Sequence, residues 1–158
     1  MEKFPITAAG HTALEAEFLR LQQIERPRII QAIAEARGHG DLSENAEYHA
    51  ARDQQGFIEG RIKEIEHRLG HTEIIDVSKL PQTGKVVFGT TVELEGTADG
   101  VRVTYQVVGE DEADIRQGLI AITSPIARAL VGKEEGDTVD VQAPGGVRSY
   151  EIVKVRYE

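Results

Sequence analysis

The sequence predicts an α+β protein, with an N-terminal antiparallel helical hairpin (a coiled coil) and a C-terminal antiparallel β-sheet domain carrying one short helix. Composition, periodicity and turn residues each point that way. Residues 8–71 are rich in Ala, Glu, Gln, Arg, Leu and Ile, whereas residues 84–157 are rich in Val, Thr and Gly. Apolar residues recur three and four apart in the first segment and two apart in the second, the periods of a helix face and a strand face. Residues 72–83, with Ser78 and Pro81 and followed by Gly84, separate the two patterns.

In the first segment Leu14, Phe18 and Leu21 are followed, after Pro27, by Ile29, Ile30, Ile33, Ala34 and Ala36. This spacing predicts a helix from about Ala8 to Arg37, with Thr7 as N-cap. Pro27 is expected to kink it, because the ring removes one hydrogen bond and crowds the carbonyl a turn back. Gly38 and Gly40 stop this helix, and Asp41, Ser43 and Asn45 are N-cap candidates for the next. The second helix runs to about Leu69 with the seam Ala51, Gln55, Ile58, Ile62, Ile65 and Leu69, a heptad register with one polar position. Long helices joined by so short a turn must pair antiparallel. At 1.5 Å per residue each arm measures roughly 35–45 Å, which puts residues 38–48 at the tip. The hairpin either docks along its own domain or projects from it. The small residues Ala46, Ala50 and Ala51 near the tip favour projection.

In the second segment Val101, Val103, Tyr105 and Val107 alternate with Arg102, Thr104 and Gln106, and Thr91–Glu95 precedes them across the turn at 96–100. Leu119–Ile122 and Thr138–Gln142 give two further strands, and the turn at 143–146 leads into a last strand from Val147 to Tyr157. Ser124-Pro125 reads as an N-cap and first position of a short helix ending at Gly132. About five strands with one helix on a face follow. The boundaries are set at 1–76 for the hairpin, 77–81 for a linker and 82–158 for the sheet domain.

Composition narrows the function. The chain has 158 residues, enough for one domain or two small ones, and its 40% hydrophobic and 28% charged residues are those of a folded protein. A formal charge of −9 opposes a protein that grips nucleic acid over a broad basic surface. Neither half is basic: residues 1–80 hold 10 basic and 14 acidic side chains, and residues 81–158 hold 8 and 13. The absence of cysteine excludes disulfides, thiol nucleophiles and thiolate metal sites. No apolar run approaches a membrane span or a signal-peptide core, so a cytoplasmic protein is expected. His67 and His71 are four apart, but Gly70 lies between them and no zinc-protease pattern surrounds them.

The remaining chemistry is at the tip, Gly38-His39-Gly40-Asp41-Leu42-Ser43-Glu44-Asn45-Ala46-Glu47-Tyr48. Asp41 and Glu44, three apart at a helix start, can offer carboxylates to one hard cation. Two carboxylates hold Mg²⁺ only partly, since the ion takes six oxygens. An incomplete metal site finished by a partner is one reading. The other is a capping arrangement, with Asp41 as N-cap, Glu44 at the third helical position and both opposing the helix dipole. Arg37 and Arg52 bracket the turn and either grip a phosphate or serve as solvated ion-pair partners.

At these residues the chain resembles the Gre family of bacterial transcript-cleavage factors. The motifs that carry the resemblance are residues 25–37 (Glu25-Arg26-Pro27-Arg28 through Ala36-Arg37), Gly40 to Tyr48, Ser124-Pro125-Ile126-Ala127-Arg128-Ala129-Leu130 and Pro144-Gly145-Gly146, spread over almost the whole chain. The resemblance implies a coiled coil that enters the secondary channel of RNA polymerase and an FKBP-like C-terminal domain that docks on a coiled coil of the largest catalytic subunit at the channel rim. It implies that Asp41 and Glu44 reach the polymerase active site when RNA has backtracked, help hold a second Mg²⁺ shared with polymerase, and orient the water that cuts the extruded 3′ end. No cofactor is then expected in the free protein, and no nuclease activity without polymerase. Arg37 and Arg52 correspond to contacts with RNA or the active-site rim, and Ser124, Pro125 and Ile126 to the docking patch. His39 and Ser43 receive no role. A monomer is expected. The alternatives are an inhibitory paralogue that plugs the channel, and a prolyl isomerase or chaperone acting through the C-terminal domain.

Overall fold

A computed structural model describes residues 3–38, 40 and 45–158. Their contacts form two compact units: residues 11–72, and residues 3–10 together with 73–158.

The first unit is the helical hairpin. Helix α1 (Ala8–Arg20) passes through a single π-helical turn (Leu21–Glu25) into α2 (Arg26–Arg37), and α3 (Ala46–Gly70) returns alongside. The apolar pattern explains the π turn. Leu14 and Leu21 are buried seven apart, as are Ile29 and Ala36, but Leu21 and Ile29 are eight apart. One extra residue must be absorbed for both stretches to face α3, and the wider turn absorbs it, with the Arg26 N–H donating to the Leu21 carbonyl five residues back. Pro27, which has no N–H to continue the α pattern, immediately follows. The disturbance expected at Pro27 therefore takes the form of a π turn.

The facing seam on α3 is Ala51, Ile58, Ile62 and Ile65, all buried, with Gln55 and Leu69 half-buried at its polar position and its end. Ile30 and Ala34, expected in the stripe of the first helix, lie on the solvent face instead. Two forked ion pairs flank the seam. Arg61 donates through Nε and NH2 to the two Glu17 oxygens at 2.8 and 2.9 Å, and Arg26 reaches both Glu59 oxygens at 2.9 and 2.8 Å. Pairing of residue 17 with 61, 26 with 59 and 36 with 45 is the order that antiparallel helices require.

The second unit is built on β1 (Phe4–Thr7), β2 (Thr72–Ile75), β3 (Thr91–Gly96), β4 (Arg102–Val108), β5 (Leu119–Ala121), helix α4 (Pro125–Leu130), β6 (Thr138–Ala143) and β7 (Gly146–Arg156). Strands β1 and β2 form a separate pair, and the main sheet has the order β5-β4-β3-β7-β6. Its hairpins are antiparallel, but β5 runs parallel to β4, pairing Gln106 with Leu119 and Val108 with Ala121. The sheet is thus mixed, which corrects the expected all-antiparallel sheet. The reason lies in the connection: after β4 the chain makes two short 3-10 turns, at Glu110–Glu112 and Ile115–Gln117, and comes back alongside the second half of β4, running the same way. Gly118 completes the return at φ 75°, and a Cβ there would stand 2.8 Å from the Thr104 carbonyl oxygen.

The core of this unit joins Val86, Val92, Leu94, Val107 and Ile152 of the sheet region to Ala127 and Leu130 of α4. Val77 belongs to the same core and Leu80 packs against it, so the segment expected as a linker at 77–81 contributes to the sheet unit. Residues 3–10, expected with the hairpin, also group with this unit. Glu112 holds them, accepting from the Thr7 N–H at 3.1 Å, from the Thr7 hydroxyl, and from the Gly109 N–H at 2.9 Å. Thr7 in turn accepts from the Gly10 N–H at 3.0 Å, the N-cap role expected of it.

Candidate functional site at the hairpin tip and at the start of helix α4

The segment joining α2 to α3 is framed by glycines and closed by an asparagine. Gly38 ends α2, its N–H donating to the Glu35 carbonyl at 3.1 Å. Gly40 has φ 110°, a backbone conformation that side chains with a Cβ rarely adopt, so the residue immediately before Asp41 needs to be glycine. At the far end Asn45 is the N-cap of α3: its side-chain oxygen accepts from the Tyr48 N–H at 3.0 Å. Its amide nitrogen donates to the Ala36 carbonyl at 2.7 Å, satisfying an acceptor at the end of α2. The cap of α3 is therefore Asn45, and the expected capping arrangement headed by Asp41 is not how α3 begins.

Asp41 and Glu44, with His39, Leu42 and Ser43, lie outside the described residues. Arg37 is the last residue of α2 and Arg52 lies within two turns of the start of α3; both are exposed. Neither has an ion pair to a described residue, so the solvated ion-pair reading gains no support there. Tyr48 and His49 follow on the first turn of α3, their rings edge to face at 5.5 Å. Among the described residues no group of three or more His, Cys, Asp or Glu side chains could hold a metal ion.

The second expected site is the start of α4. The Ser124 hydroxyl caps the helix by accepting from the Ala127 N–H at 3.3 Å, and Pro125 occupies the first helical position. Pro125 is exposed and Ile126 half-buried, while Ala127 and Leu130 are fully buried beneath them. The helix is thus pinned by two core side chains, with its first residue turned to solvent. Ile115, on the 3-10 turn next to β5, is 65% exposed. Sequence reasoning passed over it, because an isolated Ile between two turns carries no periodic signal.

Paired antiparallel helices in one chain with a mixed-sheet unit make a two-unit α+β class of protein. Residues 4–74 match the family model described as transcription elongation factor, N-terminal, and residues 81–157 match that for the GreA/GreB C-terminal domain. The chain is 64% identical to the transcription elongation factor GreA of Alkalilimnicola ehrlichii over 157 residues, 99% of each chain. It is 63% identical to the GreA of Halorhodospira halophila over the full length of both. The crystal structure of Thermus aquaticus Gfh1 aligns with 30% identity and a TM-score of 0.44 over 99% of each chain. The chain belongs to the GreA/GreB family of transcription elongation factors. No described helix is long and apolar enough to cross a membrane.

Proposed function

We propose that this chain binds RNA polymerase, inserts its helical hairpin into the secondary channel and stimulates the polymerase's own Mg²⁺-dependent cleavage of backtracked RNA. The observation that carries this reading is the position of Asp41 and Glu44, which fall in the segment joining the paired helices of a chain whose whole length matches the family. Carboxylate oxygens are hard donors suited to Mg²⁺, and two of them leave positions for polymerase side chains, RNA phosphate and water. A second Mg²⁺ held between factor and polymerase would neutralise charge on the attacking and leaving oxygens of a phosphodiester. The chain's own part is to bring two carboxylates and to orient water. Catalysis remains polymerase's, and the factor is not an enzyme by itself.

Arg37 and Arg52 are suited to the RNA 3′ end or the rim of the active site, as exposed guanidiniums beside the tip. Ser124, Pro125 and Ile126 are assigned to docking on the coiled coil of the largest polymerase subunit, because the buried Ala127 and Leu130 fix that helix start against the sheet. A protein with net charge −9 then meets RNA only at the tip and reaches polymerase through protein contacts. Such a factor works in the cytoplasm as a monomer.

Purified protein added to stalled, backtracked polymerase should shorten the transcript from its 3′ end, and the same protein with RNA alone should leave it intact. Slowed nucleotide addition without shortening would instead mark an inhibitory channel-binding protein. Turnover of a proline-limited peptide would indicate isomerase action of the C-terminal unit.

A further inference from the structure

We propose that Asn45 is a positioning residue for the tip carboxylates, tying the end of α2 to the start of α3 across the segment that carries Asp41 and Glu44. The inference rests on the functional reading above. The Asn45 amide donates to Ala36 at 2.7 Å and accepts from Tyr48 at 3.0 Å. Both anchors belong to the paired helices rather than to the connecting segment. Ala36 is a buried seam residue at the end of α2, and the Tyr48 N–H lies in the first turn of α3. One planar group therefore fixes the separation of the two helix ends between which the carboxylates are strung.

The chemistry explains why this position takes Asn. An N-cap needs only a short side-chain acceptor, which Ser or Asp supplies as well as Asn. Only an amide puts its donor and its acceptor on separate atoms of one short side chain, whereas a Ser hydroxyl carries both on a single oxygen close to the backbone. The Ala36 carbonyl lies in the last turn of α2, where its own helix end offers it only the Gly38 N–H that is shared with the Glu35 carbonyl, so losing the tie frees the α2 end to move against α3. A metal or water site assembled from carboxylates on that segment depends on where those ends are held, and groups that orient ligands from behind typically matter by 10- to 100-fold.

Two variants separate the tie from the cap. Asn45→Ser keeps a neutral cap but has no second polar atom to reach Ala36 while its oxygen caps the helix; Asn45→Asp keeps size and cap and replaces the donor with an acceptor. Both are expected to fold and to keep wild-type polymerase affinity, with a melting temperature lowered by no more than the loss of one hydrogen bond accounts for, while the rate of RNA shortening at saturating factor falls roughly 10- to 100-fold. The Mg²⁺ concentration giving half-maximal shortening should rise for Asn45→Ser, a change that a loss of folding or docking would not produce. In the free wild-type protein, NMR should show the Asn45 side-chain amide protons exchanging slowly with solvent. Shortening by Asn45→Ser within about twofold of wild type would overturn the proposal, as would unprotected Asn45 amide protons. Failure of the wild-type protein itself to shorten RNA would overturn the functional reading instead, and the positioning role with it.

Discussion

Glu17 and Arg61 show how one pair fixes the hairpin arms. The forked hydrogen bond from Arg61 is the main influence on the Glu17 carboxyl and holds its pKa below the ordinary value of 4.5, with the nearby Arg61 and Arg20 charges adding to it against partial burial. A depressed carboxyl stabilises the fold above its unfolded pKa, and that contribution is lost as pH falls through the folded value. Between about pH 5 and pH 3 the melting temperature of wild type should therefore fall more steeply than that of Glu17→Gln. At pH 7 the same variant should be less stable by about 1 kcal/mol in urea unfolding followed by helix ellipticity. At this scale the sequence was partly readable. Asp41 and Glu44 stand out in the sequence as acidic side chains three apart beyond a pair of glycines, and they lie outside the described residues. The twofold bonding of Asn45 was not readable, because one of its partners is a backbone carbonyl nine residues earlier whose placement depends on how the two helices pair.

Helix α2 offers a direct test of register at the scale of an element. Ile29 is 3% exposed and its neighbour Ile30 is 51% exposed, although both are branched apolar residues in the same helix. Ile29→Ala should cost about 2–5 kcal/mol through lost burial and the cavity left behind. Ile30→Ala should change stability by less than about 0.5 kcal/mol, read by the same unfolding transition. The helix limits, the α3 seam and the strands from β3 onward were legible from their periods and turns, whereas the sheet order and the four-residue strands β1 and β2 were not, because pairing partners far apart in sequence leave no local pattern. The π turn was legible only as a proline disturbance, since recognising it requires knowing that both seam segments face one partner. The parallel β5 escaped notice for a related reason: three residues of strand show no direction, and the direction follows from the turns at residues 110–117 and Gly118.

Across the whole molecule, the two compositional halves of the sequence correspond closely to the two units, with departures at the N-terminus and at residues 73–81, which group with the sheet unit. Residues 3–10 belong with the sheet unit because Glu112 accepts two hydrogen bonds from Thr7 that pin β1 and the start of α1, an interaction 105 residues apart in sequence and invisible to any local pattern, while the Gly109 N–H holds the same carboxylate in place. Glu112→Ala should leave the Thr7 and Gly109 amides without their acceptor and cost about 1–3 kcal/mol, with faster hydrogen exchange at those two amides as the readout. The diffuse charge of −9 gives no functional address by itself; the proposed address is the two carboxylates that the sequence places between the paired helices. The most direct measurement is therefore the rate of RNA shortening in backtracked polymerase complexes at saturating factor, comparing wild type with Asp41→Asn combined with Glu44→Gln. Wild type should cleave, and the double variant should bind polymerase with similar affinity yet cleave at least about 100-fold more slowly. Equal rates for the two proteins would contradict the assignment of these carboxylates to the cleavage reaction.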